Sequence, residues 1–123
     1  VYFYQFSYVP TAQKERMKYG AGHGSEVAYV FNNLKDRWGI TEVTDTDQKV
    51  GEMINAYLAN FAKTGNPNGQ NLTQWPAYSS SKKEILDIES DGTPVGKVDP
   101  RNARLDVIEK SNDIRNKLQT RGI

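Results

Sequence analysis

His23 is the one histidine of the chain, and it stands in the run Gly20-Ala21-Gly22-His23-Gly24-Ser25-Glu26. An imidazole titrates near neutrality, so it can take a proton and return it within one reaction cycle. The flanking residues Gly22 and Gly24 add no side-chain bulk and permit backbone conformations that other residues resist. That suits an imidazole held at the floor of a pocket. The same residues also fit a loop histidine with no chemical role, and spacing alone leaves both readings open.

Other chemistries fit less well. His23 and Glu26 are three apart, the spacing of a metal pair on one helical turn, but no second histidine and no cysteine can complete the shell. No metal is expected. Gly20, Gly22 and Gly24 are spaced by twos, whereas the dinucleotide fingerprint needs its third glycine where Ser25 stands. The P-loop spacing is absent as well, so no cofactor is expected. A nucleophile elbow needs glycine two before and two after a serine. None of Ser7, Ser25, Ser79, Ser80, Ser81, Ser90 and Ser111 has that. The segment thus offers a base and no nucleophile, which makes sense if a catalytic set is divided between it and sequence outside it. Asp45 and Asp47 flank a helix start as caps, and Asp87, Asp91 and Asp99 fall at strand ends and turns. Asn71-Leu72-Thr73 matches a glycosylation sequon, relevant only to a protein exported from a eukaryotic cell.

Composition narrows the classes. A chain of 123 residues suits one domain or a piece of a larger one. Sixteen basic residues against 15 acidic ones leave a net charge of +1, without the electrostatic footprint of a nucleic-acid or anionic-membrane binder. The lack of cysteine excludes disulfide scaffolds, thiolate zinc sites and cysteine nucleophiles. An aromatic content of 11% argues against disorder. No apolar run is long enough for a membrane span, and no basic, apolar leader opens the chain, so neither a span nor a signal peptide is expected.

These residues need elements to position them. Tyr2, Tyr4, Phe6 and Tyr8 share one face at period two, and Val1, Phe3 and Val9 lie on the other with Gln5 and Ser7. Such a strand is expected to be buried on both faces, in a sheet whose other strands lie outside the sequence. Residues 10–24 read as loop. Residues 25–34 read as a helix started by Gly24 or Ser25, with Val27, Val30, Phe31 and Leu34 on one stripe. After a connector containing Trp38 and Gly39, the clearest helix carries Val50, Met53, Ile54, Tyr57, Leu58 and Phe61 along one face. Thr44, Asp45 or Thr46 caps it and Gly65 ends it. Gly65-Asn66-Pro67-Asn68-Gly69 is turn chemistry. Residues 70–84 are irregular. Residues 85–88 and 95–98 are short strands about the turn Asp91-Gly92. A helical tail from Ala103 to Leu118 has sparse apolar positions and is expected to pack along a narrow seam or lie exposed.

Several of these segments together resemble the type-B carboxylesterases, the family that includes the cholinesterases. Val1-Tyr2-Phe3-Tyr4-Gln5-Phe6-Ser7-Tyr8 is similar to a late core strand of the family, and residues 20–27 with Val30-Phe31 to its catalytic-histidine segment. The run Ala59-Asn60-Phe61-Ala62-Lys63-Thr64-Gly65-Asn66-Pro67-Asn68, followed by Trp75-Pro76-Ala77-Tyr78, resembles a further family stretch in the same order and spacing. The resemblance covers roughly residues 1–100 and is weaker from Arg101 onward.

The resemblance implies an α/β class, with residues 1–123 forming a single C-terminal fragment of an α/β-hydrolase fold. Its parts would be a late core strand, the catalytic-His loop, a long amphipathic helix and short edge strands. The fold would be incomplete alone, since the nucleophile and oxyanion-hole portion is absent. His23 would be the triad base of a parent enzyme that hydrolyses carboxylic esters. Gly22, Gly24 and Glu26 would support it, Glu26 buried and hydrogen-bonded near the histidine without being the triad acid. Met17, Tyr19 and Phe31 are candidate pocket neighbours, with Phe31 read as core. The implied partners are a small ester substrate and the N-terminal remainder of the hydrolase domain. The isolated chain would be inactive, and its uncovered surfaces would favour self-association. The missing cysteines lean toward a microbial-type enzyme. The other class is a cholinesterase-like binding or adhesion module that has lost its nucleophile. A small independent α+β interaction domain is a third reading.

Overall fold

The computed structural model describes residues 1–35 and 42–120. Trp38 and Gly39, in the expected connector, lie outside the described residues.

The longest apolar stripe makes the central element. Helix α2 spans Asp45–Thr64. Thr44, in extended backbone, caps it by accepting from the Asp47 N–H, and Gly65 closes it in the left-handed region at φ 76°. Val50, Ile54 and Tyr57 are buried and Met53 and Leu58 partly so. Each fully buried side chain of this kind stabilises by about 1.5–3 kcal/mol. Phe61 stays half-exposed but meets the edge of Tyr2.

Against α2 lies a three-stranded sheet in the order β1-β2-β3, from Tyr4–Phe6, Glu84–Ile88 and Pro94–Val98. β1 runs parallel to β2, with Phe6 opposite Ile88. A parallel neighbour needs a long crossover, and the intervening chain with α2 supplies it. β2 and β3 form an antiparallel hairpin. Its turn presses on α2: a Cβ at Gly92 would stand 2.7 Å from Val50 Cγ2, and its φ is +91°. Leu86 and Ile88 join Tyr8, Tyr29, Trp75 and the α2 stripe in one core.

The first strand departs from the expectation in two ways. It pairs within the chain, through β2, although its partners were expected outside. It is also not buried on both faces: Phe3 and Tyr4 are exposed at 48% and 42%. The reason is geometric. Among the described residues β1 has one neighbouring strand, leaving its other edge open. Of the period-two face of Tyr2, Tyr4, Phe6 and Tyr8, three residues, Tyr2, Phe6 and Tyr8, turn to the core, while Tyr4 stays exposed.

The helix expected over 25–34 shrinks to α1, Val27–Val30. Gly24 at φ +76° keeps the preceding residues in a turn, and Asn32 at φ 48° ends the element, a conformation that asparagine tolerates better than most residues. Glu26 stands at the start of α1, in place of Gly24 or Ser25, and the Ser25 hydroxyl donates to the Gly22 carbonyl at 2.7 Å. With the helix over, Phe31 leaves the apolar stripe and is 74% exposed, so it is not core here, while Leu34 remains buried. The tail forms α3, Asn102–Thr120, with no buried residue. A 2.9 Å ion pair from Lys83 to Asp106 ties its first turns to the sheet. Among the described residues no helix is long and apolar enough to cross a membrane.

Candidate active site

β1 delivers the chain to the loop that carries His23, and α1 takes it away. Between them a 3-10 turn at Thr11–Gln13 and successive turn hydrogen bonds, Met17 N–H to Gln13 O and Gly20 N–H to Met17 O, fold the loop back. Gly20 at φ +104° and Gly24 at +76° require glycine's backbone freedom. Gly22 does not: its φ is ordinary, and an added Cβ would meet Ser25 Oγ at a normal 3.7 Å.

His23 is exposed on this loop. It lines one open cleft with Ser7, Tyr19, Glu26 and Arg101, and a smaller recess with Met17 and Tyr29. The structure therefore brings His23, Gly22, Gly24 and Glu26 together, with Met17 and Tyr19 beside them, but not Phe31. Glu26 is half-buried. Among the described residues no hydrogen bond joins Glu26 or any serine to His23. Tyr4 is raised above the usual phenol range by burial, with the Glu26 charge adding to it.

Two polar networks support this region. The first centres on Asp47, which is fully buried. Its Oδ2 accepts from the Thr44 N–H at 2.8 Å and the Thr44 hydroxyl at 2.7 Å. Its Oδ1 accepts from the Tyr8 hydroxyl at 2.8 Å and the Tyr29 hydroxyl at 3.1 Å. Burial alone would raise this carboxyl, but the Thr44, Tyr8 and Tyr29 donors outweigh it and hold Asp47 below the usual carboxylate range. Burial and the Asp47 carboxylate push both tyrosines well above the phenol range. The second network lies on the other face of the sheet. Asp87, expected at a strand end, is inside β2 and buried. It accepts from the Ser7 hydroxyl at 2.8 Å and pairs with Lys97 at 2.8 Å.

Sequence reasoning found Asp47 only as a cap. The spacing Thr44-x-x-Asp47 marks a capping box, but nothing local marks the two tyrosines that reach it from distant positions. Among the described residues no group of three acidic, histidine or cysteine side chains is placed to hold a metal ion.

Known proteins resemble this chain over most of its length. The model of the carboxylesterase family matches residues 1–108. Carboxylesterase 5A of Canis lupus familiaris is 38% identical over 94 residues, covering 72% of this chain and 16% of that protein. A solved structure titled PNB esterase superposes with a TM-score of 0.72 at 29% identity, covering 86% of this chain and 21% of that one. A carboxylesterase of Geobacillus stearothermophilus gives 0.65 at 27% identity, over 84% of this chain and 20% of its own. The chain thus spans about a sixth to a fifth of the length of these relatives. It belongs to the carboxylesterase family and carries part of its α/β-hydrolase fold.

Proposed function

We propose that the protein carrying this chain hydrolyses carboxylic esters by a serine–histidine–acid triad, with His23 as the base. In this reading residues 1–123 are a single C-terminal fragment of the hydrolase domain. The serine, the acid and the oxyanion donors come from the remainder.

The observation that carries the proposal is the placement of His23. The chain's one histidine is exposed on a cleft at the end of a core strand, on a loop shaped by two left-handed glycines. His23 takes the serine proton as Oγ attacks the ester carbonyl. Backbone N–H donors of the remainder stabilise the oxyanion. As the tetrahedral intermediate collapses, His23 gives that proton to the leaving alcohol. It then takes a proton from water, which attacks the acyl-enzyme, and returns it to the serine as the acid departs. Gly24 shapes the turn, and Glu26 and Gly22 support the loop. Small esters are the expected substrates.

On this account the chain by itself does not turn over esters. Its open β1 edge and the exposed apolar residues of α3 (Leu105, Ile108, Ile114 and Leu118) favour docking on the remainder. In the isolated chain they favour self-association. A fluorophosphonate probe tests the division of labour. It should label the full-length protein on serine and leave the isolated chain unlabelled. Stoichiometric serine labelling of the isolated chain would overturn the reading.

A further inference from the structure

We infer that Asp47 is a positioning residue for His23, clamping both ends of the histidine loop through Tyr8 and Tyr29; this rests on the reading of His23 as the base. Tyr8 lies two residues beyond the end of β1, and Tyr29 lies in α1. The two residues bracket residues 9–28, and the imidazole hangs from that loop. Both hydroxyls converge on one oxygen, Asp47 Oδ1, at 2.8 and 3.1 Å. Their rings meet edge to face at 5.7 Å, and Phe6 of β1 packs on Tyr29 at 5.2 Å.

The carboxylate does more than a cap requires. The capping box is complete with the Thr44 hydroxyl and Asp47 Oδ2. Oδ1 is not needed for it and is given wholly to the tyrosines. Phenylalanine at positions 8 and 29 would fill the same core without burying two hydroxyls, and a buried polar network is costly unless every member is satisfied. Here each is satisfied. The arrangement gives the loop ends one register against the start of α2, which apolar packing alone would leave free to slide. Tyr8 and Tyr29 are 3% and 1% exposed, so water does not compete for the oxygen.

A base must stand within hydrogen-bond reach of its nucleophile, and a displacement of about 1 Å can cost on the order of a hundredfold in rate. The test uses the full-length enzyme and a short-chain p-nitrophenyl ester, assayed well below the melting temperature. Tyr8→Phe with Tyr29→Phe, and separately Asp47→Asn, should lower kcat by on the order of tenfold or more while KM stays within about twofold. Tyr57→Phe is the control. It removes another buried hydroxyl, which donates to the Thr73 carbonyl at 2.6 Å, and should lower stability with kcat unchanged. If Asp47→Asn does not fold, the single tyrosine variants, each lacking one hydroxyl, carry the same readout.

His23→Ala separates a failed clamp from a failed base. An inactive His23→Ala with a selective loss of kcat in the tyrosine variants supports the clamp. An inactive His23→Ala with unchanged kcat in the tyrosine variants makes Asp47 a helix cap only and overturns the inference, leaving the base intact. An active His23→Ala overturns both.

Discussion

The indole Nε1–H of Trp75 donates to the backbone carbonyl of Phe3 over 2.8 Å, joining residues 72 apart in sequence. The same carbonyl also accepts the Leu86 N–H at 3.0 Å, so one oxygen links the irregular segment, β2 and the residue before β1. Trp75 is buried, and the rings of Tyr2, Tyr4 and Tyr57 meet it edge to face at 5.4–6.0 Å.

Trp75→Phe removes the donor and part of the ring but leaves the carbonyl its Leu86 partner, so no acceptor is orphaned. The expected loss is about 1–3 kcal/mol, the sum of one net hydrogen bond and a small cavity. Urea unfolding of the full-length protein measures it. An unchanged midpoint would mean that this junction does not hold the first strand.

Acid sensitivity should trace to Asp47. Its carboxyl is held below the ordinary range in the fold. A group depressed on folding contributes its full stability above the unfolded carboxylate pKa of about 3.9, and loses it as pH falls through the folded value. Asp91, held low by Thr93, and Asp99, held low by Arg101, act in the same direction. Melting temperature should therefore fall steeply on acidification, and Asp47→Asn should flatten that descent relative to the parent. Parallel curves for the two proteins would refute the assignment.

The two glycines beside the histidine should behave differently. An alanine at position 24 would meet no atom within 4 Å but would be forced to a φ of +76°, at a cost of about 1–2 kcal/mol. An alanine at position 22 meets only Ser25 Oγ at contact distance. Gly24→Ala should thus lower both melting temperature and turnover, and Gly22→Ala should leave melting temperature within the error of the scan. Equal losses at both positions would show that bulk, and not backbone handedness, governs the loop.

Much of this architecture is legible in the sequence. The α2 stripe, its Thr44 cap and the Gly65 stop depend on neighbours within a few residues, so periodicity and capping chemistry reveal them. The exposure of α3 follows from its sparse apolar positions. The misread elements depend on distant partners. α1 ends at Val30 because Asn32 turns left-handed, although Phe31 and Leu34 continue the helical spacing. β1 pairs with a strand far along the sequence, Tyr4 opposite Leu86, which no local pattern announces. At the site, composition and spacing leave His23 open between a base and an idle loop residue, and only the resemblance of its whole segment to the family singles it out. The convergence of Tyr8 and Tyr29 on Asp47 is a product of the tertiary fold, and so is the meeting of Ser7 and Lys97 with Asp87, which reads locally as a strand-end residue.

The role of His23 as the base of an esterase is tested most directly by the turnover of p-nitrophenyl acetate by the full-length protein and its His23→Ala variant at matched folding. Loss of a triad histidine leaves only binding and oxyanion stabilisation, so kcat should fall by on the order of a thousandfold or more. Equal turnover by both proteins would contradict the account and return His23 to a loop residue with no chemical role.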